Sequence, residues 1–288
     1  MKIARAPAEL ARRPRAVAIG TFDGVHLGHA AVVRAAVDAG PTPTIVTFDP
    51  HPRTVLGNGV ELVTTLDRRL ELLAALGVEE TLVVDFTAEL AKLAPEEFAR
   101  EYLASIGTEV VVAGAGFRFG RHRTGDLDLL ETLGFDVRIV PIVDRISSTS
   151  VRQLVQDGDM AGAAQLLGRP VEVDGTVVSG DARGGTLGFP TANLRVEPDQ
   201  LAPAHGIYAG AVLGHRAAVS VGVNPHYGGV ERRIEAFVLD FEGDLYGRRL
   251  VVELWQRLRD ERAFETEADL VAQIARDVDE TRAAERPV

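Results

Sequence analysis

The sequence predicts two domains, an N-terminal α/β domain on an open parallel sheet and a small antiparallel β-barrel with a closing helix. Three observations predict this. In the first half, short β-branched runs alternate with helical patterns, the mark of βα units with right-handed crossovers. In the last third, strands and Gly-rich turns follow one another with no helices between them, the mark of a small barrel. Where the pattern changes, Gly168-Arg169-Pro170 punctuates the chain, so the boundaries are set at 1–168 and 169–288. A chain of 288 residues is long for one domain and comfortable for two.

The elements follow in order. Residues 16–19, 44–48, 81–85, 109–113 and 136–140 read as strands apolar on both faces, as buried parallel strands are. Helical patterns lie at 29–39, which ends at Gly40-Pro41, and at 65–76, which ends at Gly77. A third, at 95–106, opens on Pro95 and stops at Gly107. Two short helices, 151–156 and 160–167, precede the boundary. Beyond it, strands are expected at 171–179, 207–213, 216–221, 234–240 and 250–255, with turns at Gly214-His215 and Glu242-Gly243. The closing helix spans 267–283, with Thr266 and Asp269 as a capping pair and Leu270, Ile274 and Val278 as its inner stripe.

Lys and Arg total 31 against 42 Asp and Glu, a formal charge of −11. An acidic chain lacks the basic face that non-specific nucleic-acid binding needs, so no nucleic-acid partner is expected. Cysteine is absent, which excludes a disulfide framework, a thiolate nucleophile and a Cys-rich metal site. No apolar run approaches a bilayer span, and residues 1–14 hold three arginines and no secretory core. The expectation is a cytoplasmic protein with no membrane partner. The sequence carries no signal for an oligomeric state.

Chemistry concentrates in two places. The first strand runs into Gly20-Thr21-Phe22-Asp23-Gly24-Val25-His26-Leu27-Gly28-His29 and then a helix. Glycines there let backbone approach a ligand, and the helix N-terminus offers amides to a phosphate. His26 and His29 can donate hydrogen bonds to a phosphoryl oxygen. The plainer alternative is that one histidine caps the helix and the other packs. Downstream, Ser148, Thr149 and Ser150 stand before a predicted helix and Arg152 adds a guanidinium fork, a second anion site. A capping box of Ser150 with Gln153 would explain the same residues and is compatible with it.

The second place is the run from Gly180 through Gly185 and Gly188 to Phe189-Pro190-Thr191-Ala192-Asn193. Its glycines can wrap a nucleotide, and Pro190 holds Phe189 extended. Thr191 and Asn193 offer two hard oxygens to a divalent ion. A polar loop capping a barrel is the plainer alternative. Glu235 lies on a predicted strand where alternation can aim it at a ligand, or leave it as a surface glutamate.

Thr21 to His29, TFDGVHLGH, resembles the HxGH signature of the nucleotidyltransferases, and in this longer form the prokaryotic bifunctional riboflavin kinase/FAD synthetase family. Thr47-Phe48-Asp49-Pro50-His51-Pro52, the stretch Gly116 to Asp126, and Ile146 to Arg152 resemble further motifs of that family. In the barrel half the resemblance runs through GTLGFPTAN, His205 to Ala209, Ser220 to Pro225, Ile234 to Phe241, Asp244 to Gly247, Arg257 to Arg259 and Phe264.

This resemblance implies a Rossmann-like nucleotidyltransferase domain followed by a riboflavin kinase barrel. It implies phosphorylation of riboflavin by ATP to FMN, then adenylylation of FMN to FAD with release of pyrophosphate, with Mg²⁺ or another divalent cation. Glu235 is then the kinase base, with His26 and His29 catalytic in adenylyl transfer. Gly20, Phe22, Asp23, Gly24, Gly28, Ser148, Thr149 and Arg152 bind ATP or phosphate in the first domain. Gly180, Gly185, Gly188 and Pro190 do so in the second, where Thr191 and Asn193 hold the metal. His51, Pro52, Phe117, Arg118 and Phe119 bind flavin.

Two departures stand out. Family members carry a polar or acidic residue before the Phe-x-Phe-Gly element, where this chain has Ala115 and Gly116; and His226-Tyr227 replaces a common Thr-Phe. The alternatives are therefore a riboflavin kinase with a degenerate first domain, a non-catalytic flavin- or nucleotide-binding regulator, and a nucleotidyltransferase for another phosphate ester.

Overall fold

The computed structural model describes residues 1–141, 145–179, 189–224 and 231–288. These form two compact units, one of residues 1–60 and 66–146, the other of residues 61–65 and 147–288.

The first unit is a parallel sheet. Its strands are β1 (Lys2–Ala4), β2 (Arg15–Ile19), β3 (Thr42–Asp49), β4 (Glu80–Asp85), β5 (Thr108–Gly114) and β6 (Asp136–Val140). Among the described residues they lie in the order β1-β4-β3-β2-β5-β6, every pair parallel. Alternate residues of the central strands enter opposite cores. Ala16, Ala18, Ile45, Val110 and Val112 pack with Val33, Ala36 and Leu73. Val17, Ile19, Val46, Val111 and Ala113 pack with Phe98, Leu103 and Leu130. Burial on both faces is why these strands are continuously apolar in sequence.

The helices of this unit are α1 (Leu27–Val37), α2 (Pro52–Val55), α3 (Leu66–Ala75), α4 (Pro95–Phe98) and α5 (Leu127–Thr132). The single helix expected at 95–106 is broken. After α4 the chain runs through a π turn, Ala99–Leu103, and a 3₁₀ turn, Ala104–Ile106, and ends at Gly107 with φ 83°. A side chain at Gly107 would also collide with the backbone of Arg13.

The second unit opens with α6 (Ser148–Asp157) and α7 (Met160–Leu167). Val151, Val155, Met160, Ala163 and Leu167 share the barrel core, so by packing residues 147–168 go with the barrel. The boundary expected from Gly168-Arg169-Pro170 falls after them. Ser147, not Ser150, caps α6, its hydroxyl accepting from the Ser150 amide at 3.1 Å. Glu61–Thr65 also belongs here: Leu62 donates to the Asp199 carbonyl at 2.6 Å and accepts from the Leu201 amide at 2.8 Å.

The barrel strands are β7 (Val171–Val178), β8 (Ala192–Val196), β9 (Gly206–Val212), β10 (His215–Asn224), β11 (Glu231–Val238) and β12 (Arg249–Arg259). They close in the order β10-β11-β8-β7-β12-β9 with antiparallel pairing throughout. β8 was not expected, because Leu194 and Val196 are its only large apolar residues. Leu213 and Gly214, both at positive φ, make the β9–β10 turn, and His215 already belongs to the strand.

The closing helix is α8 (Glu267–Ala283), capped as expected by the Thr266 hydroxyl, which accepts from the Asp269 amide at 3.1 Å. Its buried residues are polar: Gln273, Asp277 and Thr281. The expected inner stripe of Leu270, Ile274 and Val278 is only half-buried. Asp277 receives the Arg259 guanidinium at 2.8 and 2.6 Å, and this fork seats the helix against the end of β12.

One buried ion pair anchors the first unit. Arg15, fully buried, meets Glu80 at 2.9 Å through Nε and donates to the Ile106 carbonyl; Arg13 reaches the same carboxylate at 2.8 Å. Removing one partner of such a pair strands the other charge. Arg15→Met is expected to cost about 3 kcal/mol, read as a lower urea midpoint for the first unit. An unchanged midpoint would show that Arg13 alone satisfies Glu80.

Candidate functional site

Strand order places the first cluster. In a parallel sheet, ligands bind beyond the carboxyl ends of strands where successive connections leave in opposite directions. Here β2 connects towards β3 while its other neighbour, β5, connects towards β6. The Gly20–His29 loop leaves β2, His51 and Pro52 follow β3, and Phe117–Phe119 follows β5. Three adjacent strands thus deliver the residues singled out from the sequence to one edge of the sheet.

The Gly20–His29 loop is tightly wound. Phe22 has φ 50° and the β-branched Val25 φ 40°, conformations that cost free energy and persist only where their surroundings enforce them. The surroundings do: Phe22, Asp23, Val25 and His26 are buried, and the Thr47 hydroxyl donates to the Thr21 carbonyl at 3.2 Å.

His26 caps α1, its Nδ1 accepting from the His29 amide at 3.1 Å. A ring that accepts at Nδ1 carries its proton on Nε2, so His26 is a neutral donor through that atom. The two imidazoles stack with centroids 3.6 Å apart and planes 13° apart. A side chain at Gly28 would lie 3.2 Å from the His26 ring, so glycine there makes room for the imidazole. Ile146, which leads into Ser147–Arg152, lies 3.8 Å from the same point.

Burial holds His29 well below the ordinary histidine value, and the neighbouring His26 and Arg69 act in the same direction. Its Nδ1 is enclosed and has no hydrogen-bond partner among the described residues. Capping, the plainer alternative for the pair, is therefore true of His26, and it coexists with two neutral rings at a helix N-terminus.

The other residues expected in this half have mixed surroundings. His51 is buried and caps α2 through Nδ1, with Pro52 in the first turn. Phe119 is core; Phe117 stacks on it at 5.7 Å and is half-buried. Arg118 is exposed and pairs with Asp126 at 2.7 Å. Ala115 and Gly116 are exposed. In the second unit, Ser148 and Thr149 lie in the first turn of α6, and Arg152 Nε donates to the Glu61 carbonyl at 2.6 Å. Arg69, 1% exposed, donates to the Phe48 carbonyl at 3.3 Å; sequence reasoning missed it, since one arginine in a helical pattern looks like any solvated charge.

The barrel carries the second cluster of candidate residues on its outer face. Alternation assigns the faces: Ile234, Ala236 and Val238 fill the interior, whereas Arg233, Glu235 and Phe237 line a cavity of about 810 Å³. Ala218 and Ser220 on β10 line it too, beside Val219 and Val221, which point inward. Asn193 is in register with Glu235 across the β8–β11 pair, on the side opposite the interior Leu194. Thr191 lines the same cavity.

The apolar wall residues are Phe189, set edge-on to Phe237 at 5.4 Å, with Ile207, Leu270 and Ile274. Arg259, Glu261, Arg262 and Asp277 add charge to the lining. Leu270 and Ile274 are half-buried because they wall this cavity, which the helical periodicity could not distinguish from packing on a core. Gly180, Gly185 and Gly188 lie outside the described residues. Apolar side chains, a carboxylate and hard oxygens on one barrel face suit an aromatic ligand whose polar tail meets a phosphate donor. Thr191 and Asn193 fit a hard cation that completes its shell with phosphate and water.

Comparison with known proteins agrees with both halves. The FAD synthetase family model matches residues 9–152 and the riboflavin kinase model residues 167–284. The bifunctional riboflavin kinase/FMN adenylyltransferase of Listeria monocytogenes is 38% identical, the match covering 93% of this chain and 92% of that one. The protein of the same description from Escherichia coli K12 is 35% identical over 96% of each chain. A solved structure described as a macrolide-efflux protein from Streptococcus pneumoniae superposes with a TM-score of 0.88 at 33% identity, covering 98% of this chain and 99% of that one. Among the described residues no helix of this chain is long and apolar enough to cross a membrane. With both family models matched in order and relatives this similar over nearly its whole length, the chain belongs to the bifunctional riboflavin kinase/FMN adenylyltransferase family.

Proposed function

We propose that this chain makes FMN and then FAD, the barrel unit phosphorylating riboflavin and the parallel-sheet unit adenylylating FMN. The observation that carries the kinase half is the single barrel face on which Glu235, Thr191 and the apolar wall share one cavity. There the flavin ring lies against Phe189 and Phe237. Glu235 accepts the proton of the ribityl 5′-hydroxyl as that oxygen bonds to the γ-phosphorus of ATP and the bond to ADP breaks. Thr191 and Asn193 hold a divalent cation, which supplies charge neutralisation on the phosphates.

In the other half, an FMN phosphate oxygen attacks the α-phosphorus of ATP and pyrophosphate leaves, so no covalent enzyme intermediate is required. His26, through Nε2–H, and His29 donate to phosphate oxygens as charge builds. Ser148, Thr149 and Arg152 hold pyrophosphate oxygens in this reading, and Phe117 and Arg118 contact the flavin. ATP as the common co-substrate is consistent with a cytoplasmic setting.

The test is a chromatographic assay of purified protein with riboflavin, ATP and Mg²⁺. FMN appears first and FAD after it. FMN that accumulates with no FAD, even from added FMN, would leave only the kinase half standing, with Ala115 and Gly116 as the sequence departure behind it. Glu235→Gln lowers the rate of FMN formation about 10²- to 10⁴-fold and leaves conversion of supplied FMN to FAD intact. His29→Ala does the reverse, with a loss of about 10²- to 10³-fold in FAD formation. Equal loss of both activities in either variant would contradict separate sites.

His29 also sets a pH dependence of stability. Its pKa is lowered on folding, so below about pH 6.5 the unfolded chain takes up a proton that the folded chain refuses. The neutral ring therefore favours the unfolded state progressively as pH falls below that value. Compared with His29→Gln, the wild-type first unit should lose more stability between pH 7.5 and 5.5 in urea titrations. Parallel curves would mean that His29 titrates normally.

A further inference from the structure

Arg233 stands two residues before the base assigned above, and nothing in the sequence motifs gives it a task. We propose that Arg233 is the positioning residue of the kinase: it holds Glu235 by one carboxylate oxygen and leaves the other to take the substrate proton. The inference rests on the reading of Glu235 as base. In a strand, residues two apart share a face, so Arg233 and Glu235 both point to the cavity from β11. The guanidinium reaches Oε1 twice, through Nε at 2.9 Å and the terminal NH2 at 2.5 Å. Among the described residues Oε2 accepts no hydrogen bond, and Arg233 has no other hydrogen-bond or ion-pair partner.

The other charged groups of the cavity are engaged elsewhere. Arg259 is forked onto Asp277, Arg262 donates to Gln273, and Glu261 accepts from the Ser220 hydroxyl at 3.3 Å. Arg233 is thus the cation on the base. A carboxylate on a two-carbon stem can rotate away from a hydroxyl it must meet at hydrogen-bond distance; a charged grip on Oε1 removes that freedom and aims Oε2. Arg233 itself is 40% exposed on the barrel's outer face and contributes nothing to the interior, so its removal is compatible with folding.

The experiment is steady-state kinase kinetics on the full chain with Arg233→Ala, Arg233→Lys, Glu235→Gln and the Arg233→Ala/Glu235→Gln double variant. Riboflavin binding, followed by flavin fluorescence, and conversion of supplied FMN to FAD report on folding. The expected result is a fall in kcat of about 10- to 100-fold for Arg233→Ala, with KM for ATP and riboflavin binding little changed. Arg233→Lys should recover part of kcat, because it restores the charge without the fork. The double variant should be no slower than Glu235→Gln alone, since a residue that acts through the base has nothing left to act on.

A rise in KM for ATP at unchanged kcat, or a further loss of rate in the double variant, would overturn the proposal and make Arg233 a direct phosphate ligand. Loss of riboflavin binding in both Arg233 variants would overturn it in favour of a structural role. If Arg233→Ala matches wild type while Glu235→Gln is inactive, only the positioning role fails; if Glu235→Gln retains kinase activity, the assignment of the base fails.

Discussion

A closed barrel of six strands leaves no room inside for a ligand once its inward side chains are Val, Leu, Ile and Tyr, as they are here. All chemistry is thereby forced onto the outer face, which by itself is an open wall. The second wall has to be brought, and α8 brings it. The Arg259–Asp277 fork fixes the helix at the end of β12, and Arg216 donates to the carbonyls of Thr281 and Ala284 at its C-terminal end, where a cation also complements the negative end of the helix dipole. With the helix held by polar contacts, Leu270 and Ile274 are released from core duty and become cavity lining. Glu235, Thr191 and Arg233 lie on the outer face for the same reason that Ile234 and Ala236 lie inside.

The parallel sheet divides its labour along the strands. Its amino ends carry the buried Arg15–Glu80 pair, at the starts of β2 and β4, which serves cohesion. Its carboxyl ends carry the wound Gly20–His29 loop, where Phe22 and Val25 are held in unfavourable backbone conformations. Conformational cost at one end is offset by packing along the rest of the strand. The enclosed His29 adds a second cost, since burial first, and then the stacked His26 and Arg69, hold its ring unprotonated. What results is a pair of neutral donors at a helix N-terminus, a place where negative charge is stabilised.

Much of this was legible in the sequence. The central strands could be read because burial on both faces makes them uniformly apolar, and α7 and α8 because their caps and stops are local. Of the motif residues, His26 and His29 lie beyond the carboxyl end of β2, and Thr191 and Glu235 line one cavity of the barrel. What could not be read is what depends on tertiary partners. β8 carries too few apolar residues to announce itself, and β1 is three residues long. The helix at 95–106 breaks into three pieces although its propensities are unbroken. The polar buried face of α8 contradicts its own periodicity, because an arginine distant in sequence makes Asp277 a better inward residue than Ile274. Arg233 was invisible for the opposite reason: alternation had already placed it beside Glu235, but nothing in a row of charges says which one has a single partner.

The excursion of Glu61–Thr65 into the barrel unit bears on how the chain is made. Val63 lies in the barrel core, Leu62 bonds to Asp199 and Leu201, and the Thr65 hydroxyl donates to Asp174 at 2.5 Å. On a ribosome this segment emerges early and its partners emerge well over a hundred residues later, a wait of roughly ten seconds at ordinary elongation rates. During that interval the sheet on either side of it can already assemble, leaving a short apolar strip unsatisfied until the barrel arrives. The second unit therefore cannot be completed from its own continuous stretch of chain, and a protein cut at the conventional border between the two matched families would surrender a piece of one unit to the other.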